Sequence, residues 1–434
     1  QCLAPPDRPQ SALSPRTGCR PGRSAAHPPL LRRFWMPFLQ SNDLPDSDGP
    51  PVRLVLMGES LLAFRDTSGK VGLIHLNCPH RWASLFFGRN EECGLRCVYH
   101  GWKYDVTGQC VDMRSEPDES RFANKIQIKS YPTVLRGGVI WIYMGPSEHT
   151  PEPPNFEWST LPATQRYATK RLQQCNWAQA VEGGIDSSHI SFLHSRSDKQ
   201  PTTEVKVPRN KLHSQDRHPV FFIKETDFGL SIGARRNADV KNYYWRITQF
   251  LLPFYTMIPP VGNFEHSGDQ PYNGHAWVPI DNNNTWTWSF GAHPHKNYEK
   301  STYEFLSGKN GMWGPITADY RPVQNIDNDY LINRQVQNTE NFTGIEGIPN
   351  QDAAVQESMG RIVDRSKEHL GSSDTAVIAF RKLLLKLVKE FEEGKSPSAA
   401  YNGECYNVRS ASLLLERDID WQRGAAHLIS CDGL

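Results

Sequence analysis

The sequence predicts an α+β fold, with a small all-β unit followed by a larger unit of antiparallel sheet and helix. Three observations carry this expectation. Between Val52 and Tyr143, short apolar runs recur at close spacing between turn signals, the pattern of a small antiparallel β domain. Pro146 to Pro154 is proline-rich and reads as a linker. Beyond it, strand-like runs mix with long helical patterns, which points to α+β layering. A chain of 434 residues has room for two such units.

The charge balance narrows the classes of partner. Lys and Arg number 48 against 47 Asp and Glu, a net charge of +1. Such a chain lacks the basic footprint that nucleic acid or an anionic membrane surface requires. No apolar run reaches the roughly 18 residues of a membrane span, so none is expected. Hydrophobic residues at 38% and aromatic residues at 11% can supply a substantial core. The cysteines number nine, an odd total at low density, which argues against a disulfide framework and for reduced thiols in the cytoplasm.

Taken in order, residues 1–30 are rich in Pro, Arg, Ser and Ala and lack the apolar centre of a secretion signal. That composition predicts a loosely attached tail. Folded sequence begins at Leu30-Leu31-Arg32-Arg33-Phe34-Trp35. Strands are predicted at Val52–Met57, Leu61–Phe64, Val71–Leu76, Trp102–Tyr104, Cys110–Met113 and Val139–Tyr143, with Gly- and Asp-containing turns between them. In the second unit, Asn176–Ser191 reads as helix, and Tyr243–Leu252 and Asn273–Pro279 read as strands. Asp281-Asn282-Asn283-Asn284 reads as a hairpin turn before Thr285–Gly291. Helices are predicted over Asp352–Leu370 and Asp374–Glu393, the second with Asp374 as N-cap and Gly394 past its end. The expected domains are therefore 31–150 and 151–434, after the tail 1–30.

Two cysteine–histidine pairs carry the first chemistry. They are Cys78-Pro79-His80 and Cys97-Val98-Tyr99-His100, with sixteen residues between them. Structural zinc also uses two Cys and two His, but its usual spacing is C-x2-C followed by H-x3-5-H. Here each Cys is followed by its own His, so two neighbouring loops can each give one sulfur and one nitrogen. Two thiolates on one iron and two imidazoles on the other make the ligand set of a Rieske [2Fe–2S] centre. Iron and acid-labile sulfide analysis separates the two readings. Cys93 and Cys97 match no plant-type ferredoxin run, and no G-x-G-x-x-G follows a strand. Electrons are thus expected from another protein.

A second constellation lies in Glu182-Gly183-Gly184-Ile185-Asp186-Ser187-Ser188-His189-Ile190-Ser191-Phe192-Leu193-His194. On a helix, Asp186 and His189 share a face. His194, five residues beyond His189, would point elsewhere at ~100° per residue, so the helix must end or distort near Ser191 for both imidazoles to meet one ion. Two imidazoles and a carboxylate form the facial triad of non-haem Fe(II) oxygenases. The spacing alone is equally that of ordinary core or surface histidines. A one-electron carrier in the same chain favours the metal, because the electron needs a sink.

These phrases resemble the α-subunits of Rieske non-haem iron oxygenases, and within them the phthalate 4,5-dioxygenase-like group. The resemblance rests on Cys78-Pro79-His80-Arg81, Cys97-Val98-Tyr99-His100-Gly101-Trp102 and Asn176-Trp177-Ala178-Gln179-Ala180-Val181-Glu182-Gly183. Leu31-Arg32-Arg33-Phe34-Trp35-Met36-Pro37, Tyr244-Trp245-Arg246 and Gln351-Asp352-Ala353-Ala354-Val355-Gln356-Glu357-Ser358 extend it. It implies a Rieske domain ahead of a helix-grip-like catalytic domain. It implies a [2Fe–2S] cluster on Cys78, His80, Cys97 and His100, and a mononuclear Fe(II) on His189, His194 and a downstream carboxylate. That carboxylate maps to Asp352, with Glu357 as rival. Asp186 maps to a bridge between His100 of one subunit and His189 of its neighbour, which implies a homotrimer or a dimer of trimers.

The resemblance further implies a terminal oxygenase that takes O2 and NAD(P)H-derived electrons through a flavin/iron–sulfur reductase. It would cis-dihydroxylate an aromatic carboxylate such as phthalate or a benzoate. Monooxygenation, as in O-demethylases of methoxy- or aryloxybenzoates, is the alternative, and a Rieske protein that only carries electrons is a third. A carboxylate substrate calls for an arginine fork. Arg209, Arg235, Arg236 and Arg246 lie in the expected region, and Arg246 stands out within an apolar, aromatic strand. His293 and His295 are read as incidental. Two departures stand out: Trp82 occupies a position where relatives carry Gly, and residues 1–29 look unrelated to the usual lead-in.

Overall fold

The structure is a computed structural model and describes residues 29–196, 209–260, 271–308 and 311–431. Residues 1–28 of the expected tail, with Cys2 and Cys19, lie outside the described residues.

The first unit carries β1 (Trp35–Gln40), β2 (Val52–Leu56), β3 (Glu59–Arg65), β4 (Val71–His75), β5 (Arg89–Glu91), β6 (Gly94–Arg96), β7 (Trp102–Tyr104), β8 (Cys110–Met113), β9 (Thr133–Arg136) and β10 (Val139–Tyr143). They form the antiparallel sheets β1-β10-β9, β2-β3-β4 and β5-β6-β7-β8. The predicted strands appear within a residue or two of their expected bounds. β1 is an addition, an apolar run containing Pro37 at an irregularity in the pairing, where a residue without an N–H is tolerated. A compact core of Leu62, Phe64, Ile74, Leu85, Leu95, Trp102 and Tyr104 sits beneath the two Cys/His loops.

The second unit adds β11 (Arg166–Gln173), β12 (Val220–Thr226), β13 (Gly229–Asn237), β14 (Asn242–Leu251), β15 (Tyr255–Ile258), β16 (Tyr272–Pro279), β17 (Thr285–Ala292) and β18 (Ala411–Glu416). Its sheet runs β11-β17-β16-β15-β14-β13-β12, and β18 also pairs with β14. The helices are α1 (Glu157–Thr160), α2 (Trp177–Ile185), α3 (Arg209–Gln215), α4 (Lys300–Ser307), α5 (Arg334–Thr339), α6 (Ile348–Ser358), α7 (Thr375–Glu392) and α8 (Trp421–Ile429). The expected α+β class and the Asp281–Asn284 hairpin are both present.

Alternation along the strands divides the large sheet into two faces. Register places Arg246, Thr248 and Phe250 of β14 on one face with Thr256, His275 and Trp277, and with Thr169, Arg171 and Gln173 of β11. Helices cover that face: the Phe380 ring of α7 lies 4.9 Å from Phe250, and Gln173 Nε2 donates to Gln356 Oε1 of α6 at 2.6 Å. The opposite face meets β1, where Lys170 Nζ donates to the Phe38 carbonyl at 3.0 Å and Tyr255 to the Trp35 carbonyl at 2.5 Å.

Two helix predictions need correction. The helix expected over Asn176–Ser191 stops at Ile185, and Asp186 is already extended, with φ −83° and ψ 116°. Its carboxylate accepts from the backbone N–H groups of Ser188 and His189 at 2.6 and 3.3 Å, a local alternative to the helix that short acidic side chains offer. The helix expected over Asp352–Leu370 instead begins at Ile348 and ends at Ser358. Gly347, at φ +83°, and Pro349 start it earlier, and Gly360, at φ +89°, follows its end.

Candidate metal centres

α2 positions the second constellation. Asn176 caps it by accepting from Ala178 N at 3.0 Å, and Trp177, Ala180, Val181 and Ile185 are buried. Its two glycines permit close approach. A Cβ on Gly184 would stand 2.1 Å from the Trp277 ring, and one on Gly183 would stand 2.2 Å from Gln356 Nε2. The helix is thereby pressed against β16 and α6, and the chain beyond it delivers His189 from a 3-10 turn over His189–Ser191.

His189, His194 and Asp352 come together, with one ligand atom from each lying within 4.8 Å of the others. His194 Nε2 and His189 Nε2 stand 3.2 and 3.6 Å from Asp352 Oδ1. Gln351 settles the tautomer of His194. Its Nε2 donates to the Ile345 carbonyl at 3.0 Å, which leaves Oε1 facing His194 Nδ1 at 2.8 Å. Nδ1 therefore carries a proton, which makes Nε2 the atom that would turn a lone pair to a bound ion. On the other imidazole, Asp186 Oδ2 lies 3.4 Å from His189 Nδ1. Burial opposes charge on His189, yet Asp186 and Asp352 raise its pKa. Burial likewise opposes charge on Asp352, but His194 and His189 hold its carboxyl below the usual range. Convergent nitrogen and carboxylate donors of this kind fit a divalent iron with open positions. Asp352 lies inside α6 rather than at its first residue, so orientation places it and the helix end does not. Glu357, the rival, accepts instead from Gln174 N at 2.7 Å. His293 and His295 join no metal-ligating group among the described residues.

The Cys/His loops have matching backbones. Trp82 N bonds to the Cys78 carbonyl and Gly101 N to the Cys97 carbonyl, both at 2.9 Å. Each turn closes on a left-handed residue, Gly101 at φ +77° and Trp82 at φ +64°. The position therefore favours glycine, and a tryptophan there carries a strain of about 1–2 kcal/mol. The Trp82 ring is 65% exposed and lies against His75, with centroids 5.1 Å apart, so it stands beside the loops rather than in the core under them. The His80 and His100 rings lie 4.4 Å apart, and Cys78 and Cys97 are buried. His80 Nδ1 is buried without any hydrogen-bond partner. An orphaned nitrogen beside two buried sulfurs fits a resident metal group.

Of the four arginines, the sheet sorts three. Arg235 pairs with Trp245 on the sheet face opposite α6 and α7, where Trp421 of α8 stacks on Trp245, and its guanidinium lies over Tyr243 at 4.3 Å. Arg236 is buried and donates to the Ser187 carbonyl and hydroxyl and to the Asp216 carbonyl, so it holds the segment between Asp186 and His189. Arg246 is 5% exposed. It donates to the Pro259 carbonyl at 3.2 Å, its Nε has no partner, and it lies close enough to His189 to oppose protonation there. Arg209 opens α3, and its side chain lies outside the described residues. Sequence reasoning missed His213 of α3, whose pKa is pushed down to about 4 by burial and by Arg246 and Arg236. It also missed the role of Gln351, whose place beside Asp352 in the chain was the available signal.

Two family models cover this chain: the Rieske [2Fe-2S] domain matches residues 34–132, and the LigXa C-terminal domain like model matches 142–432. The chain is 38% identical over 93% of its length to the phthalate 4,5-dioxygenase oxygenase subunit of Pseudomonas putida, covering 92% of that protein. The chain belongs to the Rieske non-haem iron oxygenases. It is also 35% identical over 93% of its length to the 3-chlorobenzoate-3,4-dioxygenase oxygenase subunit of Comamonas testosteroni, covering 95% of it. In fold, this oxygenase subunit resembles the oxygenase in the oxygenase–ferredoxin complex of carbazole 1,9a-dioxygenase. The TM-score is 0.53 at 21% identity, over 82% of this chain and 89% of that one. Its cofactors are a [2Fe–2S] cluster and a non-haem iron. A purely electron-carrying role is set aside by the catalytic-domain match and the triad. No helix among the described residues is long and apolar enough to cross a membrane.

Proposed function

We propose that this oxygenase subunit hydroxylates an aromatic carboxylate, phthalate or a related benzoate, and that the reaction is cis-dihydroxylation. The observation that carries this reading is Arg246. It is a buried cation with one neutral acceptor, an unpartnered Nε and a position beside His189. Among the described residues no carboxylate forms an ion pair with it. A buried charge so placed calls for an anion from outside the chain, and a planar guanidinium suits a carboxylate. Arg209 is proposed to assist.

Cys78, His80, Cys97 and His100 would hold the cluster, and His189, His194 and Asp352 the iron. When bound, the cluster supplies single electrons and the ferrous ion supplies open positions for dioxygen. The chain's own residues orient the substrate at Arg246, fix the His194 ring through Gln351 and hold the His189 turn through Arg236 and Asp186. We further propose that Asp186 links His189 to His100 of a neighbouring subunit within a homotrimer or a dimer of trimers. Asp186→Asn should retain both metals and stop turnover, read by metal analysis beside oxygen uptake. The reductase would be a flavin/iron–sulfur protein fed by NAD(P)H, and the setting cytoplasmic aromatic catabolism. Units at 31–150 and 151–434 are proposed as the domains.

The deciding experiment is oxygen consumption coupled to product identification with phthalate, chlorobenzoates and methoxybenzoates. A cis-diol supports the reading, formaldehyde release assigns demethylation instead, and no substrate-dependent uptake with any carboxylate overturns it.

A further inference from the structure

α6 carries three consecutive residues with separate tasks. Asp352 faces His189 and His194, Gln351 holds His194, and Asn350 points into the protein, 1% exposed. At ~100° per residue, Asn350 and Asp352 project from nearly opposite sides of the helix. Asn350 and Glu357, seven apart, share one side, and both are buried. β11 grips that side at two points. Arg171 Nη1 donates to Asn350 Oδ1 at 2.9 Å, and Nη2 donates to the Pro349 carbonyl at 2.6 Å. Just past the strand, Gln174 N donates to Glu357 Oε1 at 2.7 Å. Three residues of extended chain span ~10 Å and seven of helix span ~10 Å, so the two grips match in length. Together they fix the direction of the helix and its rotation about its own axis.

The first grip is made by a buried charge. Arg171 is 2% exposed, and among the described residues no carboxylate forms an ion pair with it. Glu357 and Asp352 act on it only at longer range, and burial works against its charge. Its Nε has no partner, and the Trp313 ring lies 4.8 Å from the guanidinium. Burying an unpaired cation is costly, so a neutral side chain would be the cheaper filler. What the guanidinium adds is a planar pair of donors, which meets a main-chain and a side-chain oxygen on successive residues at once. A single-point donor would leave the first turn of α6 free to roll. Asn350 is set for the fork: its Nδ2 donates to Gln324 Oε1 at 2.6 Å and to the Glu346 carbonyl at 3.2 Å, which leaves Oδ1 for Arg171. Both terminal nitrogens of Arg171 are thus taken up by the helix, unlike those of Arg246.

We propose that Arg171 is a positioning residue for the mononuclear iron, acting through the first turn of α6. With Asn350 held by the fork, Asp352 is turned to the side where His189 and His194 converge, and Gln351 stays against His194 Nδ1. Arg171 touches no ligand of the ion and takes no part in the chemistry. The proposal rests on the reading of His189, His194 and Asp352 as iron ligands and is independent of the substrate.

Arg171→Lys keeps the charge but cannot hold two oxygens in one plane, and Arg171→Met loses both bonds. Each should keep the visible spectrum of the cluster and bind Fe(II) more weakly by about tenfold or more, read by competition against a chelator well below its melting temperature. Arg409→Met is the matched control. Arg409 is also buried and donates through Nε to Glu157 Oε2 at 2.6 Å. It lies over Tyr272, on the sheet face opposite His275. This control should melt early and bind iron as the native chain does. Native iron affinity in Arg171→Lys, or an equal loss of affinity in Arg409→Met, overturns the proposal. If Arg171→Met does not fold, Arg171→Lys decides alone. Asp352→Ala in the same assay keeps the two readings apart. Iron retained there overturns the ligand reading and this proposal with it. Iron lost there, but held at native affinity by Arg171→Lys, overturns this proposal alone.

Discussion

Gln351→Ala isolates how much of the iron site depends on a residue that ligates nothing. In the native chain one amide serves two clients: Oε1 accepts from His194 Nδ1 at 2.8 Å and Nε2 donates to the Ile345 carbonyl at 3.0 Å. The His194 side chain is only 12% exposed and Ile345 7%, so water replaces neither partner well. Each orphaned group costs about 1–3 kcal/mol. The part that acts on the metal is the freed imidazole, which can rotate or change tautomer. Loss of an orienting partner of this kind lowers metal affinity by about 10–100-fold, equivalent to about 1.4–2.7 kcal/mol. Gln351→Glu keeps an acceptor for His194 but leaves Ile345 without its donor. It should be less stable than the native protein while retaining far more of its iron affinity than the Ala variant. The assay is competition for Fe(II) against a chelator, with the cluster's visible spectrum as internal reference, and thermal melts run in parallel. An Ala variant that melts early but binds iron as tightly as the native chain would refute the tautomer argument and leave Gln351 a purely structural bond to Ile345.

Three further outcomes follow. Asp352→Ala should empty the mononuclear site while leaving the Rieske spectrum intact, because Asp352 Oδ1 faces both His194 and His189 at 3.2 and 3.6 Å; retained iron and turnover would exclude it as an essential ligand. Arg246→Met should raise KM for a carboxylate substrate by roughly 30-fold or more, the loss of a buried charge-assisted contact of at least ~2 kcal/mol, and equal KM values would remove Arg246 from the substrate site. Glu59 supplies a pH dependence. Burial pushes its carboxyl up, but Tyr131, Lys129 and Arg32 win and hold it below its ordinary value of 4.5. A depressed carboxylate stabilises the fold above its unfolded pKa, and that contribution fades as pH falls through the folded value. Native protein should therefore lose melting temperature from about pH 5 downward more steeply than Glu59→Gln, and parallel profiles would count against the assignment.

Much of the site was legible because its signals are local. C-x-H and C-x2-H place a sulfur and a nitrogen on one loop whatever the surroundings, and Gly101 marks the left-handed close of the second loop. The matching close of the first loop is filled by Trp82, which the chain tolerates by turning the ring outward beside His75. Helix bounds read less well, since hydropathy patterning cannot see the Asp186 carboxylate capturing the N–H groups of Ser188 and His189. Among the four arginines the sequence singled out only Arg246, by its apolar, aromatic strand. Strand register separated them, with Arg235 on one face and Arg236 and Arg246 on the other.

The sequence by itself determined the α+β class, the two Cys/His loops and the pairing of His189 with His194 through short-range spacing and resemblance. Tertiary structure alone decided which carboxylate joins them, which tautomer His194 adopts, and that Arg246 is buried with no carboxylate partner among the described residues. It also decided that an arginine from β11 reaches the first turn of α6. The physical reason is common to all four. Each depends on groups far apart in the chain meeting within hydrogen-bonding or ion-pair distance, and only the folding of α6 and β11 onto the rest of the molecule brings them there.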